Sequence, residues 1–82
     1  ERKLMDSTAK IEIDKALNRL PKRDSDIVRL YYGIGVDQVM TLEEIGKKFN
    51  LTRERVRQIK ARAILRLRGL ISSQTLRSIM NN

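Results

Sequence analysis

Arg53, Glu54, Arg57 and Gln58 lie within one six-residue stretch and bring three kinds of hydrogen-bonding chemistry to it. An arginine fork donates two bonds to guanine O6 and N7, a glutamine amide pairs with adenine N6 and N7, and a glutamate accepts from cytosine N4. The set therefore suits the edges of base pairs in a DNA groove. A lone acid inside a basic helix weakens phosphate binding, so Glu54 is expected to contact a base. The alternative is an intrahelical pair with Arg57 or Gln58, worth only ~0.3 kcal/mol.

The surrounding charge agrees with a polyanion partner. The chain has 82 residues, with 18 Lys and Arg against 10 Asp and Glu, a net of +8. Residues 1–40 carry eight basic and seven acidic side chains, whereas residues 41–82 carry ten and three. From Arg53 to Arg68 there are seven basic residues and one acid. Such asymmetry fits nucleic-acid binding by the second half, or simply a solvated helix face; charge alone does not separate the two.

Positioning these side chains falls to helices. Ile13, Ala16, Leu17 and Leu20 recur at helical spacing and predict a first helix over 6–20. Pro21 suits the first position of a second helix, whose apolar side is Ile27, Val28, Leu30 and Tyr31 and whose end is marked by Gly33 and Gly35. Residues 34–40 read as a loop. Thr41-Leu42-Glu43-Glu44 fits a capping box that opens a third helix running to Phe49. Asn50 tolerates the left-handed turn conformation, and Thr52 caps a fourth helix that continues to Arg68 and stops at Gly69. Ser72 or Ser73 caps a short last helix bearing Leu76, Ile79 and Met80. The expected fold is an all-α domain of about five helices.

The third and fourth helices, so closely joined, suggest a helix-turn-helix. Ile45 and Phe49 fall on the inner face of the first helix of the pair, and Gly46 is small enough for close approach of the second. Asn50 makes the turn, and Leu51, Val56 and Ile59 close the core. An ordinary helical hairpin would explain the apolar spacing but not Gly46 and Asn50 together. At 100° per residue, Val56, Ile59, Ala63 and Leu67 share an inward arc of the fourth helix. Glu54, Gln58, Ala61 and Leu65 share the outward arc, flanked by Arg57 and Arg68 on one side and Arg55 and Arg62 on the other. Arg53 lies at the N-terminal tip. The free N–H groups near Thr41 and Leu42 offer a phosphate seat. Lys47 and Lys48 are either further phosphate contacts or only solvated charges.

Several functions are excluded. With no His and no Cys the chain has no disulfide framework, no Cys or His zinc site, and no His- or Cys-based nucleophile. Glu43 and Glu44 are adjacent and face different directions, so they make no acid–base pair. No catalytic residue, metal site or cofactor is expected. No apolar run reaches the length of a membrane span, and no signal-peptide pattern opens the chain. A first residue of Glu1 rather than Met reads as a fragment of a longer protein.

Thr41-Leu42-Glu43-Glu44-Ile45-Gly46-Lys47-Lys48-Phe49, followed by Leu51-Thr52-Arg53-Glu54-Arg55-Val56-Arg57-Gln58-Ile59, closely resembles region 4 of the sigma-70 family, the promoter-recognition subunits of bacterial RNA polymerase. Leu20-Pro21-Lys22-Arg23-Asp24 and Tyr32-Gly33-Ile34 resemble the preceding helices. The likeness covers roughly residues 16–80, with Thr52 to Ile59 its most specific run, and points to the primary, or housekeeping, branch. It implies a single domain over 1–82: region 4.1-like helices in 1–40, the region 4.2 helix-turn-helix in 41–69, and a short C-terminal helix in 70–82. It implies base reading of the promoter −35 element by Arg53, Glu54 and Gln58, with Arg57 near the same groove. Arg23, Thr41, Leu42, Thr52 and Arg55 match phosphate-touching positions, to which the helical faces add Lys48 and Arg62. Leu17, Leu20, Ile27, Leu30 and Tyr31 match the surface that seats on the flap of the polymerase β subunit and receives anti-sigma factors. The implied partners are double-stranded promoter DNA, the polymerase core (β flap and β′) and an anti-sigma factor or activator, with no membrane. The implied location is the cytoplasm, at the nucleoid.

The chain departs from the family pattern in places. Tyr31 stands where Arg is frequent, Lys60 where Glu is common, and Leu65 where housekeeping members carry an activator-contacting Arg. Leu65 projects outward, and an exposed Leu also suits docking of a protein partner. Gly69-Leu70-Ile71 replaces the more usual His-Pro-Ser. Two other readings stand beside promoter recognition: a protein-interaction module for the polymerase flap or an anti-sigma factor, and a different helix-turn-helix regulator. Arg53-Glu54-Arg55 and the Pro21 helix argue against the last.

Overall fold

A computed structural model of the chain describes residues 7–80. The expected helix start at Asp6 lies outside the described residues. Five helices follow in order: α1 Ser7–Leu17, α2 Lys22–Tyr32, α3 Leu42–Phe49, α4 Arg53–Arg68 and α5 Ser73–Met80. Among the described residues there is no strand.

The helix ends show how the chain obeys local chemistry. α1 stops three residues short of the expected Leu20. There the chain tightens, with Arg19 N–H donating to Ala16 O at 3.0 Å and Leu20 N–H to Leu17 O at 3.1 Å. The following proline disfavours α-helical backbone at residue 20, and the tightened turn swings Leu20 into the core. Pro21 sits one position outside its expected place: at φ −54° and ψ 146° it is the N-cap of α2, not its first residue. Gly33 ends α2 in the left-handed conformation, with φ 75° and its N–H on Arg29 O.

The expected capping box is present in full. Thr41 Oγ1 accepts from Glu44 N–H at 3.1 Å, and Glu44 Oε1 accepts from Thr41 N–H at 2.8 Å. Asn50 carries the left-handed turn at φ 60°, and Thr52 Oγ1 caps α4 by accepting from Arg55 N–H at 3.0 Å. Gly69 ends α4 while remaining right-handed at φ −85°. Ser72, rather than Ser73, caps α5: its Oγ accepts from Thr75 N–H at 3.1 Å. A second cap reaches in from α1, since Glu12 Oε2 accepts from Ser72 N–H at 2.9 Å and Glu12 Oε1 from Thr75 Oγ1 at 2.7 Å.

Two apolar clusters hold these elements. Ile13, Ala16 and Leu17 of α1 meet Val28, Ile34, Ala63, Ile64, Leu67, Leu76 and Ile79, joining α1 and α5 to α2 and α4. Ile27, Ile45, Val56 and Ile59 form the second cluster, rimmed by half-buried Leu30, Tyr31, Met40, Leu42, Phe49 and Leu51. The second cluster is the inside of the helix-turn-helix. Burial of each such side chain contributes about 1.5–3 kcal/mol before entropy is counted.

Candidate nucleic-acid interface

α3 packs against the turn that leads into α4 with no room for a side chain at Gly46. Gly46 is buried, and a Cβ there would lie 2.5 Å from the backbone oxygen of Leu51. Asn50 and Leu51 both return their N–H groups to Gly46 O, so the tight turn and the close approach are one device. It fixes the direction in which α4 leaves.

With Val56, Ile59, Ala63 and Leu67 buried, the opposite side of α4 must face solvent. Arg53, Glu54, Arg57, Gln58, Ala61, Arg62, Leu65 and Arg68 are all exposed there, and Arg55 is half-buried. The four expected base-reading side chains therefore share one accessible face. Glu54 does pair within the helix, as the alternative reading held: Arg57 Nε and Nη2 donate to its two oxygens at 2.9 and 2.7 Å. Gln58 Nε2 reaches the same carboxylate at 3.4 Å, and Arg55 Nη1 reaches Gln58 Oε1 at 3.4 Å. The Arg57 hydrogen bonds hold the Glu54 carboxyl below the ordinary carboxylate range, and Glu54 in turn raises the Arg57 guanidinium. The face is a linked set of arginine donors, the Glu54 carboxylate as acceptor, and Gln58 acting as both donor and acceptor.

Next to it, Thr41, Leu42, Glu43 and Arg53 line a surface hollow with Tyr31, Val39 and Met40. The start of α3 thus lies beside the start of α4. Thr41, Thr52 and Lys48 are exposed and Leu42 is half-buried, an arrangement compatible with backbone contacts on either side of a groove. Arg23 is exposed, with its Nε 3.8 Å from buried Asp24.

The expected partner surface needs correction. Leu17 and Ile27 have 0% exposure and Leu20 only 6%, so in this fold these three build the core and offer no side chain to a partner. Leu30 and Tyr31 are half-buried, whereas Leu65 is 60% exposed and available. The sequence analysis also passed over a contact of Lys60 with Tyr31 and Tyr32, which joins residues about thirty positions apart and leaves no local signal. Among the described residues no cluster of acidic side chains could hold a metal ion, and no helix is long and apolar enough to cross a membrane.

A capped helix pair with Gly46 packed against the turn, Asn50 in the left-handed conformation and a basic outward face defines a helix-turn-helix domain of the nucleic-acid-binding type. Its family can be stated as well. Residues 16–69 match the model of sigma-70, region 4, and the chain belongs to that family. It is 49% identical over 57 residues to the RNA polymerase sigma factor SigA of Nostoc sp., an alignment covering 70% of this chain and 15% of that protein. It is 42% identical over 72 residues to SigA of Clostridium acetobutylicum, covering 88% of this chain and 19% of that protein. SigA of Lactococcus lactis subsp. cremoris is 39% identical over 69 residues, 84% of this chain and 19% of its own length. The chain thus spans less than a fifth of the length of these relatives.

Proposed function

We propose that this domain is the −35-reading module of an RNA polymerase sigma factor of the SigA kind. The observation that carries the reading is the exposure of Arg53, Glu54, Arg57 and Gln58 on one face of α4, beside the N-terminus of α3. α4 enters the major groove, its outward side chains specify bases, and Thr41, Leu42, Thr52, Arg55, Lys48, Arg62 and Arg23 hold the phosphates in register. The remaining surface, with Leu30 and Tyr31 at its accessible edge, seats on the flap of the polymerase β subunit. The module performs no chemistry on the DNA and requires no cofactor.

Fluorescence anisotropy of labelled duplexes, one carrying TTGACA and one scrambled, tests this across a salt series. A preference for the promoter duplex supports base reading; equal binding to both at every salt concentration overturns it. A second reading, docking of a protein partner, is favoured by Leu65, a large apolar side chain at 60% exposure on the outward face of α4. Such docking would depend far less on salt than DNA binding does.

A further inference from the structure

A cation on α4 meets two aromatic rings at the end of α2. Lys60 Nζ lies 4.8 Å from the Tyr31 ring centroid and 5.9 Å from that of Tyr32. The two rings meet edge to face, with centroids 4.9 Å apart and planes at 83°. A ring face carries the negative end of the aromatic quadrupole and attracts a cation within about 6 Å. One ammonium from α4 is thus received by a two-ring platform on the last turn of α2.

The location gives this contact a purpose. Lys60 is half-buried and sits at the border of the buried arc of α4, away from the outward arc of Glu54, Gln58, Ala61 and Leu65. Tyr31 packs against the cluster that holds α3 to α4. It also walls two hollows, one shared with Thr41, Leu42 and Arg53, the other with Lys60, Tyr32 and Val39. The ring therefore stands between the start of the DNA-facing helices and the Lys60 head group.

We propose that Lys60 is a positioning residue for base reading: its contact with Tyr31 and Tyr32 clamps α4 to α2 and sets how Arg53 and Glu54 stand relative to Thr41 and Leu42. The inference rests on the promoter reading given above. With both positions changed, an Arg at position 31 and a Glu at position 60 would attract each other across the same gap. Changing either member alone produces a mismatch. Tyr31→Arg sets a guanidinium against the Lys60 ammonium, and Lys60→Glu sets a carboxylate over a ring face.

The test compares the 82-residue chain with Tyr31→Arg, Lys60→Glu, the double variant and Lys60→Met. Each is titrated with the promoter and scrambled duplexes in anisotropy and followed in thermal unfolding. The ratio of the two affinities cancels the general effect of net charge, because both duplexes carry the same phosphates. Each charged single variant is expected to lose about threefold or more in that ratio and to unfold several degrees lower. The double variant is expected to recover both to near the starting values. Tyr31→Arg is decisive, since added positive charge alone would tighten both duplexes and leave the ratio unchanged, while the clamp requires the ratio to fall.

Losses that simply add in the double variant overturn the proposal. So does a salt slope that falls by about one in Lys60→Met, which would make Lys60 a phosphate contact. Recovery in unfolding with an unchanged affinity ratio throughout would leave the pair purely structural and overturn its positioning role. A starting chain with no promoter preference would instead bring down the underlying reading, and is recognised before any variant is examined.

Discussion

Arg57 grips Glu54 from one turn away on the open face of α4, Nε and Nη2 donating to the two carboxylate oxygens at 2.9 and 2.7 Å. The fork aligns both side chains along the helix and neutralises the one acid in the basic run. Glu54→Gln removes that charge and frees Arg57. The variant should bind scrambled DNA more tightly, steepen the salt slope by about 0.9 for one added phosphate contact, and discriminate less between duplexes. Anisotropy over a salt series reads all three. A variant with unchanged affinity for scrambled DNA would show that the fork does not restrain Arg57.

The same fork sets a pH dependence. Arg57 lowers the carboxyl of Glu54, so the folded chain holds the proton less tightly than the unfolded one. The stabilisation is complete above the ordinary carboxylate range and is lost as pH falls through the depressed folded value. With both groups solvent-exposed the effect is small, and its clear signature is the titration itself. Side-chain carboxyl NMR should find Glu54 titrating below a free glutamate, and returning to it in Arg57→Ala. A wild-type value at or above that of free glutamate contradicts the geometry.

Gly46 leaves no room for a methyl group, because its Cβ would meet Leu51 O at 2.5 Å and that oxygen belongs to the turn backbone. Gly46→Ala should therefore destabilise by about 1–3 kcal/mol despite the higher helix propensity of alanine. In a domain this size that lowers the unfolding midpoint by roughly 4–8 °C per kcal/mol. An unchanged midpoint would mean that the turn relaxes freely.

Much of the helix-turn-helix was legible because each of its slots demands a residue type. Thr41 with Glu44, Asn50 and Thr52 do jobs that few side chains can do, and each does the expected one, whereas Gly46 makes room for the turn backbone at Leu51 rather than for α4 itself. Leu17, Leu20 and Ile27 were legible only as apolar. A short amphipathic stripe looks the same whether it faces the domain's own core or a partner, and burial decided for the core. The Lys60 contact depends on how α2 lies across α4, which no local window contains. Glu54 was open to two readings because its intrahelical pair and a base contact use the same two oxygens.

Glu12 could not have been foreseen from spacing either, since it caps a helix 60 residues further along the chain. It satisfies Ser72 N–H and Thr75 Oγ1 together, and α1 otherwise meets α5 through apolar packing. Glu12→Ala should leave α2, α3 and α4 intact while the first turn of α5 opens more often. Hydrogen exchange should speed up over residues 72–76, with the α4 amides unaffected. Equal acceleration in α4 would show that α1, α4 and α5 unfold as one unit.

Arg53 and Lys48 separate specific from general binding. Arg53 stands exposed at the first position of α4, and among the described residues no ion pair engages it. Its side chain is open to solvent, and it lines the same hollow as Thr41 and Leu42; under the proposed function its fork meets a guanine edge. Lys48 is exposed in the last turn of α3, and an ammonium there can attract a phosphate of any sequence. Arg53→Ala should cost about 1–3 kcal/mol on the promoter duplex and relax the preference at one base pair. Lys48→Ala should weaken every duplex alike and reduce the salt slope by about one. A panel of duplexes substituted one base pair at a time distinguishes them. If Arg53→Ala lowered all members equally, Arg53 would join Lys48 among the phosphate contacts, and discrimination would rest on Glu54, Arg57 and Gln58.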